Sequence, residues 1–344
     1  MKENLLGLTR EEIERFVVSL GQKPFRGRQI MKWIYGKGVF DFDVMTDISV
    51  PLRDNLKEVA CIEGIELAER VSSPDGSVKY AFRLSDGNII ESVLIFDASR
   101  VTVCLSSQVG CPLDCLFCAT GKVGFVRNLT SGEIVDQIIQ IKKDIPGKRI
   151  TNLVFMGMGE PLLNYDNLVR ALRVITSEFG LSIGARHINV STVGIPDRIR
   201  ALADEGFRVK LAISLNATTN ETRSRLMPIN EKHPIEELLS AASYFARKSK
   251  RWVTFEYVLI RGINDSVEDA SRLAGLIEDI PSKVNLIPYN PIEGVDLSRP
   301  SLEVVERFQR VLLDNHITAT IRFSKGTAIS AACGQLSGRL RKRN

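Results

Sequence analysis

The apolar and polar positions at the start of the chain predict a small helical unit. Thr9 followed by Glu12 is a capping-box pattern, which predicts an amphipathic helix that continues to about Leu20. Two more short helices are predicted over residues 27–35 and 50–59. Together these helices would form a compact N-terminal module.

The next part of the chain has the alternation that is typical of β-strands. Three segments, at residues 64–73, 77–85 and 88–96, alternate apolar with polar residues. They are separated by the turn sequences Pro-Asp-Gly and Asp-Gly. We therefore expect a three-stranded β-meander between the helical module and the rest of the chain.

From about residue 100 onward, predicted strands alternate with predicted helices. The helix over residues 131–143, for example, follows the capping box of Thr130 and Glu133. Alternating strands and helices predict a parallel sheet, either open or curled into a barrel, with functional side chains at the carboxyl ends of the strands. The predicted strands lie at residues 101–106, 150–156, 187–192, 209–214, 253–260, 284–288 and 316–323.

The composition is that of a soluble globular protein. Of the 344 residues, 44% are hydrophobic and 25% are charged, and the mean hydropathy is near zero. The apolar runs are short and interrupted by charges, and the N-terminus lacks an apolar segment, so neither a membrane span nor a secretory signal is predicted. We expect a cytoplasmic protein, in which clustered cysteines indicate metal binding or catalysis rather than disulfides.

Positive charge is concentrated near both ends of the chain, although the net charge of +5 is mild. Residues 15–40 contain no acid, and the chain ends in GRLRKRN. This pattern predicts an RNA-binding surface for the charges and core positions for the interleaved aromatic residues. The basic residues are Arg15, Lys23, Arg26, Arg28, Lys32, Lys37, Arg339, Arg341, Lys342 and Arg343, and the aromatic residues are Phe16, Phe25, Trp33, Tyr35 and Phe40.

The densest chemical motif is a cysteine loop that follows the first strand of the alternating series. Cys111, Cys115 and Cys118 have the spacing C-x3-C-x2-C. A structural zinc site usually has four ligands, often from two C-x2-C pairs, and neither a second pair nor suitably spaced histidines occur in the sequence. Three thiolates that leave one iron open instead indicate a [4Fe–4S] cluster.

This loop resembles that of the radical S-adenosylmethionine (SAM) superfamily, in which the open iron binds SAM. The segment FMGMGEP, residues 155–161, adds glycines that let the backbone approach a ligand and a carboxylate that can pair with the SAM ammonium. The resemblance implies an α/β fold with a partial (β/α)6 barrel. The residues that it implies for SAM binding are Gly159, Glu160, Ser191, Ser214, Leu215, Asn216 and Asn290, although serine and asparagine at strand ends also cap helices and form turns.

Further motifs narrow the resemblance to the RlmN/Cfr family of RNA adenosine methyltransferases. These motifs are CLSSQVGC, FCATG, FMGMGEPLLN, RLMPIN and AACGQL, and the resemblance covers nearly the whole chain. Two cysteines outside the cluster loop, Cys104 and Cys333, match the family pattern. Asn216 is a departure, because family members commonly have histidine there.

The resemblance implies a radical mechanism, because adenine C2 is too electron-poor to attack the SAM methyl group directly. One SAM would methylate Cys333, and a second would be cleaved to a 5′-deoxyadenosyl radical that abstracts hydrogen from that methyl group. The methylene radical would add to adenine, and Glu91 would accept the ring proton. Cys104 would then attack the sulfur of Cys333, which releases the product and leaves a disulfide. Taken without the family, Glu91 reads as a polar residue on an exposed strand face.

The predicted organisation has four parts. They are a helical RNA-binding module (1–59), a β-meander extension with Glu91 (60–96), a radical SAM core (97–328) and a C-terminal segment with Cys333 and the basic tail (329–344). The resemblance implies as substrates 23S ribosomal RNA, at the peptidyl transferase centre, and the adenosine 3′ of the anticodon in some transfer RNAs. It also implies a flavodoxin- or ferredoxin-type electron donor and a monomeric enzyme.

Two other functions remain open at this stage. A Cfr-type enzyme would methylate adenine C8 with the same cysteines and base and confer antibiotic resistance, although SSQVGC looks more like the C2 branch. A non-catalytic iron–sulfur regulator that binds RNA would have no reason to keep the GMGE loop, the strand-end residues and Cys333 together.

Overall fold

A computed structural model of the chain describes residues 2–338. The basic tail that the sequence analysis proposed for RNA binding, Arg339, Arg341, Lys342 and Arg343, lies outside the described residues. Within residues 2–338, no helix combines the length and the apolar character that crossing a lipid bilayer requires.

The N-terminal part is helical, as predicted. Its helices are α1 (Arg10–Ser19), α2 (Phe25–Met31) and α3 (Val50–Val59), and a two-stranded parallel sheet of β1 (Glu3–Asn4) and β2 (Ala60–Cys61) joins its ends. The capping box at α1 is formed, since the Thr9 hydroxyl accepts from the Glu12 amide and the Glu12 carboxylate accepts from the Thr9 amide. α2 begins two residues before the predicted start and continues as a π-helical turn, Lys32–Gly36.

The aromatic residues of this part are only partly in the core. Trp33 and Tyr35 are buried, and Phe16 and Phe40 are half-buried against the core. Phe25 is exposed, contrary to the predicted core position, and its ring instead lies under the Arg26 guanidinium. The reason is its place at the first turn of α2, where the side chain faces solvent.

Ten strands form one sheet whose order is β14-β13-β12-β11-β10-β9-β6-β5-β4-β3. The meander strands pair antiparallel up to β6, and the seven strands from β6 to β14 pair parallel. The strands are β3 (Glu66–Ser72), β4 (Val78–Arg83), β5 (Ile89–Asp97), β6 (Arg100–Cys104), β9 (Asn152–Phe155), β10 (Ile188–Thr192), β11 (Lys210–Ser214), β12 (Val253–Leu259), β13 (Ser282–Pro288) and β14 (Ala319–Ile321).

Helices connect the parallel strands, so the predicted alternation is confirmed. They are α5 (Ser131–Asp144), α6 (Tyr165–Thr176), α7 (Pro196–Asp204), α8 (Asn220–Leu226), α9 (Ile235–Ser249), α10 (Val267–Ile277) and α11 (Leu302–Asp314), with short 3₁₀ turns at Phe42–Val44, Pro161–Asn164, Ala185–His187, Pro228–Glu231 and Thr327–Ile329. Because β3 and β14 are both edge strands, the sheet is open, as a partial barrel requires.

One structured insertion was not predicted. After β6, the chain forms a hairpin of β7 (Gln108–Gly110) and β8 (Phe125–Asn128). The cysteine loop and the short helix α4 (Ala119–Val123) lie between these two strands. Gly110 has a φ of +72°, and a Cβ atom there would lie 1.7 Å from the carbonyl oxygen of Gly124. The hairpin therefore requires glycine at this position, and it fixes the start of the cysteine loop.

Candidate active site

A cavity of about 990 Å³, including the open space at its mouth, lies at the carboxyl ends of the parallel strands. The structure brings together most of the side chains that were predicted to bind the cluster and SAM. The predicted residues that line the cavity are Cys111, Cys115, Cys118, Gly159, Glu160, Ser191, Ser214, Asn216, Asn290 and Cys333.

The cysteine loop forms one wall of the cavity. The Cys111 amide donates to the Gly124 carbonyl at 3.0 Å, and the Cys118 amide donates to the Cys115 carbonyl at 3.1 Å, so backbone hydrogen bonds fix the loop. Burial raises the pKa of Cys111 to about 12 and that of Cys115 well above its ordinary value, because a thiolate there would lose its hydration. These thiols need an adjacent cation before they can ionise.

The donor set fits a [4Fe–4S] cluster. Three soft thiol ligands from one loop face one cavity, and thiolates are the ligands that such clusters take from proteins. No group of three His, Cys, Asp or Glu side chains that could hold a single metal ion is found among residues 2–338. The cavity also leaves space beside the three thiols for a ligand of the fourth iron.

The GMGE loop, residues 157–160, forms the adjacent wall and requires its glycines. A Cβ atom on Gly157 would lie 2.6 Å from the Leu105 carbonyl oxygen, and one on Gly159 would lie 2.4 Å from the Gln108 side chain. Glu160 is buried, and its two carboxylate oxygens accept from the amides of Leu162 and Val193 at 2.9 and 2.8 Å. The loop thus combines close backbone packing with a fixed, buried carboxylate.

Burial raises the pKa of Glu160 to about 7, because the carboxylate has little contact with water. The two amide hydrogen bonds oppose this rise, since they stabilise the charged form. A ligand ammonium in the cavity would stabilise that form further. These contacts support the predicted pairing of Glu160 with the SAM amino group.

The strand-end residues divide into two groups. Ser191 and Ser214 are half-buried and line the cavity, which suits contacts to a polar ligand. Leu215 does not line it: it is buried, and its backbone amide donates to the Glu256 carbonyl at 3.1 Å. Its predicted role in SAM binding therefore has no support from the cavity.

Asn216 lines the cavity, but its amide is used within the protein. Its Oδ1 accepts from the Val258 amide at 2.8 Å, and its Nδ2 donates to the sulfur of Met227 at 3.2 Å. The residue has a φ of +58°, in the left-handed region that asparagine tolerates better than most residues. Asn216, where family members commonly have histidine, therefore holds the backbone after β11 to the backbone of β12.

Asn290 holds the segment that carries Cys333. Its Nδ2 donates to the Cys333 carbonyl at 3.2 Å and to the Ser324 hydroxyl at 2.8 Å, and its Oδ1 accepts from Arg299 at 2.9 Å. On the other side, the Ala119 amide of α4 donates to the Gly334 carbonyl at 2.7 Å. These bonds place Cys333, which is exposed as a residue, on the cavity beside the cysteine loop.

Cys104 lies behind the cavity rather than in its wall. It ends β6, is buried, and pairs in the sheet with Val93 and Val154. Burial raises its pKa to about 12, and the nearby Cys333 thiol contributes to the rise. Both cysteines are free thiols in the structure.

Glu91 is fully buried and lies next to the C-terminal segment, not on an exposed strand face. One carboxylate oxygen forms an ion pair with the Lys79 ammonium at 2.8 Å. The other oxygen accepts from the backbone amides of Ser337 and Gly338 at 2.7 and 2.8 Å. The carboxylate therefore ties β5 to the segment that follows Cys333.

Two charged residues at the site were missed by the sequence analysis. Lys79 in β4 pairs with Glu91, and Glu256 in β12 lines the cavity. Glu256 is buried, one of its oxygens accepts from Asn285 at 3.0 Å, and the other has no hydrogen-bond partner among residues 2–338. Each of the two is a charged residue inside a mostly buried strand. This could have pointed to the site, because buried charges are rare without a partner or a function.

The parallel sheet, the cysteine loop and the GMGE wall define a radical SAM enzyme, and residues 105–274 match the radical SAM superfamily. A solved structure, a radical SAM methyltransferase from Sphaerobacter thermophilus, is 43% identical, covers 98% of this chain and 100% of its own, and has a TM-score of 0.93. The predicted fold class, [4Fe–4S] cluster and use of SAM are thereby confirmed.

The remaining comparisons identify the family. Residues 3–62 match the ribosomal RNA large subunit methyltransferase N-terminal domain. The chain is 51% identical to the probable dual-specificity RNA methyltransferase RlmN of Thermotoga maritima, over 97% of both chains. It is 46% identical to the dual-specificity RNA methyltransferase RlmN of Geotalea uraniireducens, over 99% of this chain and 98% of that one. The chain belongs to the RlmN family, as its motifs predicted.

Proposed function

We propose that this protein methylates adenine C2 in RNA, at the peptidyl transferase centre of 23S ribosomal RNA and at the adenosine 3′ of the anticodon in some transfer RNAs. The observation that carries the proposal is the placement of Cys333 on the same cavity as the three thiols of the cysteine loop, with Cys104 at the carboxyl end of β6, beside β9. The names of the RlmN relatives, which describe dual-specificity RNA methyltransferases, support the substrate class.

In this proposal, Cys111, Cys115 and Cys118 hold the cluster, and the GMGE loop, Ser191, Ser214 and Asn290 surround SAM. When bound, the cluster supplies the electron for reductive cleavage of SAM and thus radical chemistry on a methyl group. The chain contributes position: Asn290 and α4 hold the backbone on both sides of Cys333, which limits how far its sulfur can move. A fixed sulfur is required, because the methyl group that it carries must meet both SAM and the adenine.

The two extra cysteines act in sequence in this proposal. Cys333 accepts a methyl group on its sulfur from one SAM, which leaves as S-adenosylhomocysteine. After hydrogen abstraction from that methyl group, the methylene carbon joins the sulfur to adenine C2, and the ring then gives up its proton and one electron, which an oxidised cluster would accept. Cys104 then attacks the Cys333 sulfur, so that an S–S bond forms while the sulfur–carbon bond breaks. The released carbon takes up a proton and becomes the product methyl group, and an external reductant reopens the disulfide.

Glu91 accepts the ring proton in this proposal, and the structure adds a condition. Its carboxylate is fully used by Lys79 and by the amides of Ser337 and Gly338. Since these two amides follow Cys333 closely in the chain, the segment after Cys333 has to move before Glu91 can face the adenine. Lys79 can remain, because its ammonium contacts the other carboxylate oxygen at 2.8 Å.

We expect Glu91→Gln to lower RNA methylation by about 10²–10⁴-fold, because a neutral amide cannot accept the ring proton. The variant should retain its iron and should stay covalently attached to RNA through Cys333, since the adduct cannot be resolved before the proton leaves. Gel mobility after denaturation and methylation with labelled SAM measure these two effects.

The control is Lys79→Met, which removes the same ion pair but keeps the carboxylate. Breaking a buried pair in this way costs about 3–5 kcal/mol of stability, so both variants are compared at a temperature at which they are folded. If Glu91 served the fold alone, the two variants would lose methylation equally and neither would retain RNA.

The N-terminal part is proposed to contribute RNA affinity. Arg15, Lys23, Lys32 and Lys37 are exposed, whereas Arg26 and Arg28 are half-buried and already contact neighbouring groups. Arg10, Arg28 and Lys32 all lie within 6 Å of the Phe179 ring, at the start of the loop after α6. This group joins positive charge on the helical part to an aromatic ring on the sheet domain, and such combinations suit phosphates and unstacked bases.

The remaining elements are proposed from family membership. Reduction of the cluster requires an external one-electron donor, for which a flavodoxin- or ferredoxin-type protein is suitable. We further propose that the enzyme is a cytoplasmic monomer, and that the chain divides at residues 59, 96 and 328 as the sequence pattern suggested.

The experiment that tests the function is nucleoside mass spectrometry of ribosomal and transfer RNA from a strain that lacks the protein. We expect 2-methyladenosine to disappear from both RNA classes and to return when the protein is restored. Restoration with Cys333→Ala is the matched control, and it should restore neither. Return of 8-methyladenosine instead would replace the proposal with a C8 methyltransferase, and return of neither nucleoside would overturn it.

A further inference from the structure

A guanidinium group lies in the interior next to the cysteine loop. Arg223, in α8, is fully buried. Its Nε donates to the Leu215 carbonyl at 3.1 Å, its Nη2 to the Val193 carbonyl at 2.6 Å, and its Nη1 to the Asn230 side-chain oxygen at 2.9 Å. These bonds hold the planar group in one orientation, at the turns that follow β10 and β11.

The charge of Arg223 has no counter-ion in the described part of the chain. Every acceptor that it contacts there is a neutral carbonyl or amide oxygen, and no carboxylate lies within 4 Å of it among residues 2–338. Burial lowers its pKa to about 10, which still leaves it charged at neutral pH. A buried charge without a partner is costly, so proteins rarely keep one unless an opposite charge is supplied.

The missing negative charge belongs at the cysteine loop. The Val193 carbonyl that accepts from Arg223 Nη2 belongs to a residue that lines the same cavity as the three thiols. The loop and α8 are also joined directly, because the Leu116 amide donates to the Leu226 carbonyl at 2.9 Å. Arg223 does not line the cavity, so a ligand in the cavity such as SAM or RNA is not a suitable partner for its charge.

We propose that Arg223 is the internal counter-charge of the three cluster thiolates and that it raises the reduction potential of the cluster. A fixed positive charge favours the reduced state, which carries one more negative charge, and the effect is strong where water is excluded. This inference rests on the proposed function only in requiring a [4Fe–4S] cluster at Cys111, Cys115 and Cys118. It assigns a role to α8, whose last two residues begin the RLMPIN motif. The proposed chemistry does not use this helix.

The test is a redox titration of the anaerobically reconstituted full-length protein without SAM or RNA, followed by the electron paramagnetic resonance signal of the reduced cluster. Arg223→Met removes the charge at similar length. We expect its ratio of reduced to oxidised cluster at a fixed potential to fall at least about tenfold, which is about 59 mV for a one-electron couple. Arg223→Lys, which keeps the charge, should restore most of the ratio.

Asn230→Asp provides an independent variant in case Arg223→Met does not fold. It is isosteric and keeps the acceptor for the Arg223 Nη1, but it adds a carboxylate that neutralises the guanidinium. The proposal predicts a fall in the same direction and of similar size. Arg225→Met is the matched control, because Arg225 is an exposed cation two residues along the same helix, where water and salt screen its charge.

The outcomes separate this inference from the proposed function. If Arg223→Met and Asn230→Asp both stay within about twofold of Arg225→Met in this ratio, Arg223 does not tune the cluster, and the inference is overturned although the cluster is present. If the unmodified protein binds no iron after reconstitution, the proposed function itself fails. If the two variants shift the ratio upward, the assigned direction is wrong.

Discussion

Alanine in place of any one of Cys111, Cys115 and Cys118 is expected to abolish both cluster assembly and RNA methylation. The three thiols line one cavity, and Cys111 and Cys115 have pKa values raised by burial, so they stay protonated unless iron is present. Two thiolates leave two irons without protein ligands, and an exposed cubane of that kind is lost to solvent. We expect iron to fall from about four to below about one per chain.

Iron and sulfide analysis after anaerobic reconstitution measures this effect. Cys61→Ala is the matched control, because Cys61 is half-buried in β2 and does not line the cavity. That variant should retain about four irons and four sulfides. Stoichiometric zinc without iron in the unmodified protein, or full iron content in any of the three loop variants, contradicts the assignment of the cluster.

Periodicity predicted the fold well where elements are long and poorly where they are short. The parallel strands and their helices follow from alternation and capping boxes, and α5 begins at Ser131 behind Thr130 as expected. The β7–β8 hairpin escaped prediction because its two short strands flank the cysteine loop and stand outside the alternation of strands and helices. It depends instead on close backbone contact at Gly110, which a sequence shows only as one more glycine.

The candidate site was predictable where it lies at strand ends, since parallel strands bring their carboxyl ends to one edge. Glu160, in the loop after β9, and Ser191 and Ser214, near the ends of β10 and β11, line the cavity for this reason. The contact between Glu91 and Ser337 was not predictable, because 246 positions separate the two residues and no local pattern links them. Arg223 was equally hidden, since only the folded structure shows that an arginine on a polar-looking helix points inward.

Cys333→Ala and Cys104→Ala are expected to be equally inactive in turnover but to differ completely in what they retain. Cys333 carries the methyl group, so its alanine variant should form neither product nor a protein–RNA adduct. Cys104 acts later and is buried behind the cavity, so its loss should leave methyl transfer to Cys333 and addition to adenine intact. Without the resolving thiol, the Cys104→Ala protein should be purified with RNA covalently attached.

The measurement is nuclease digestion followed by mass spectrometry of the peptide that contains Cys333, which should carry a methylene-bridged adenosine only in Cys104→Ala. Cys61→Ala, with full turnover and no adduct, shows that loss of a half-buried thiol elsewhere has no such effect. An adduct in Cys333→Ala instead of Cys104→Ala would reverse the two roles. Turnover in both variants without any adduct would exclude methylene transfer through these two cysteines.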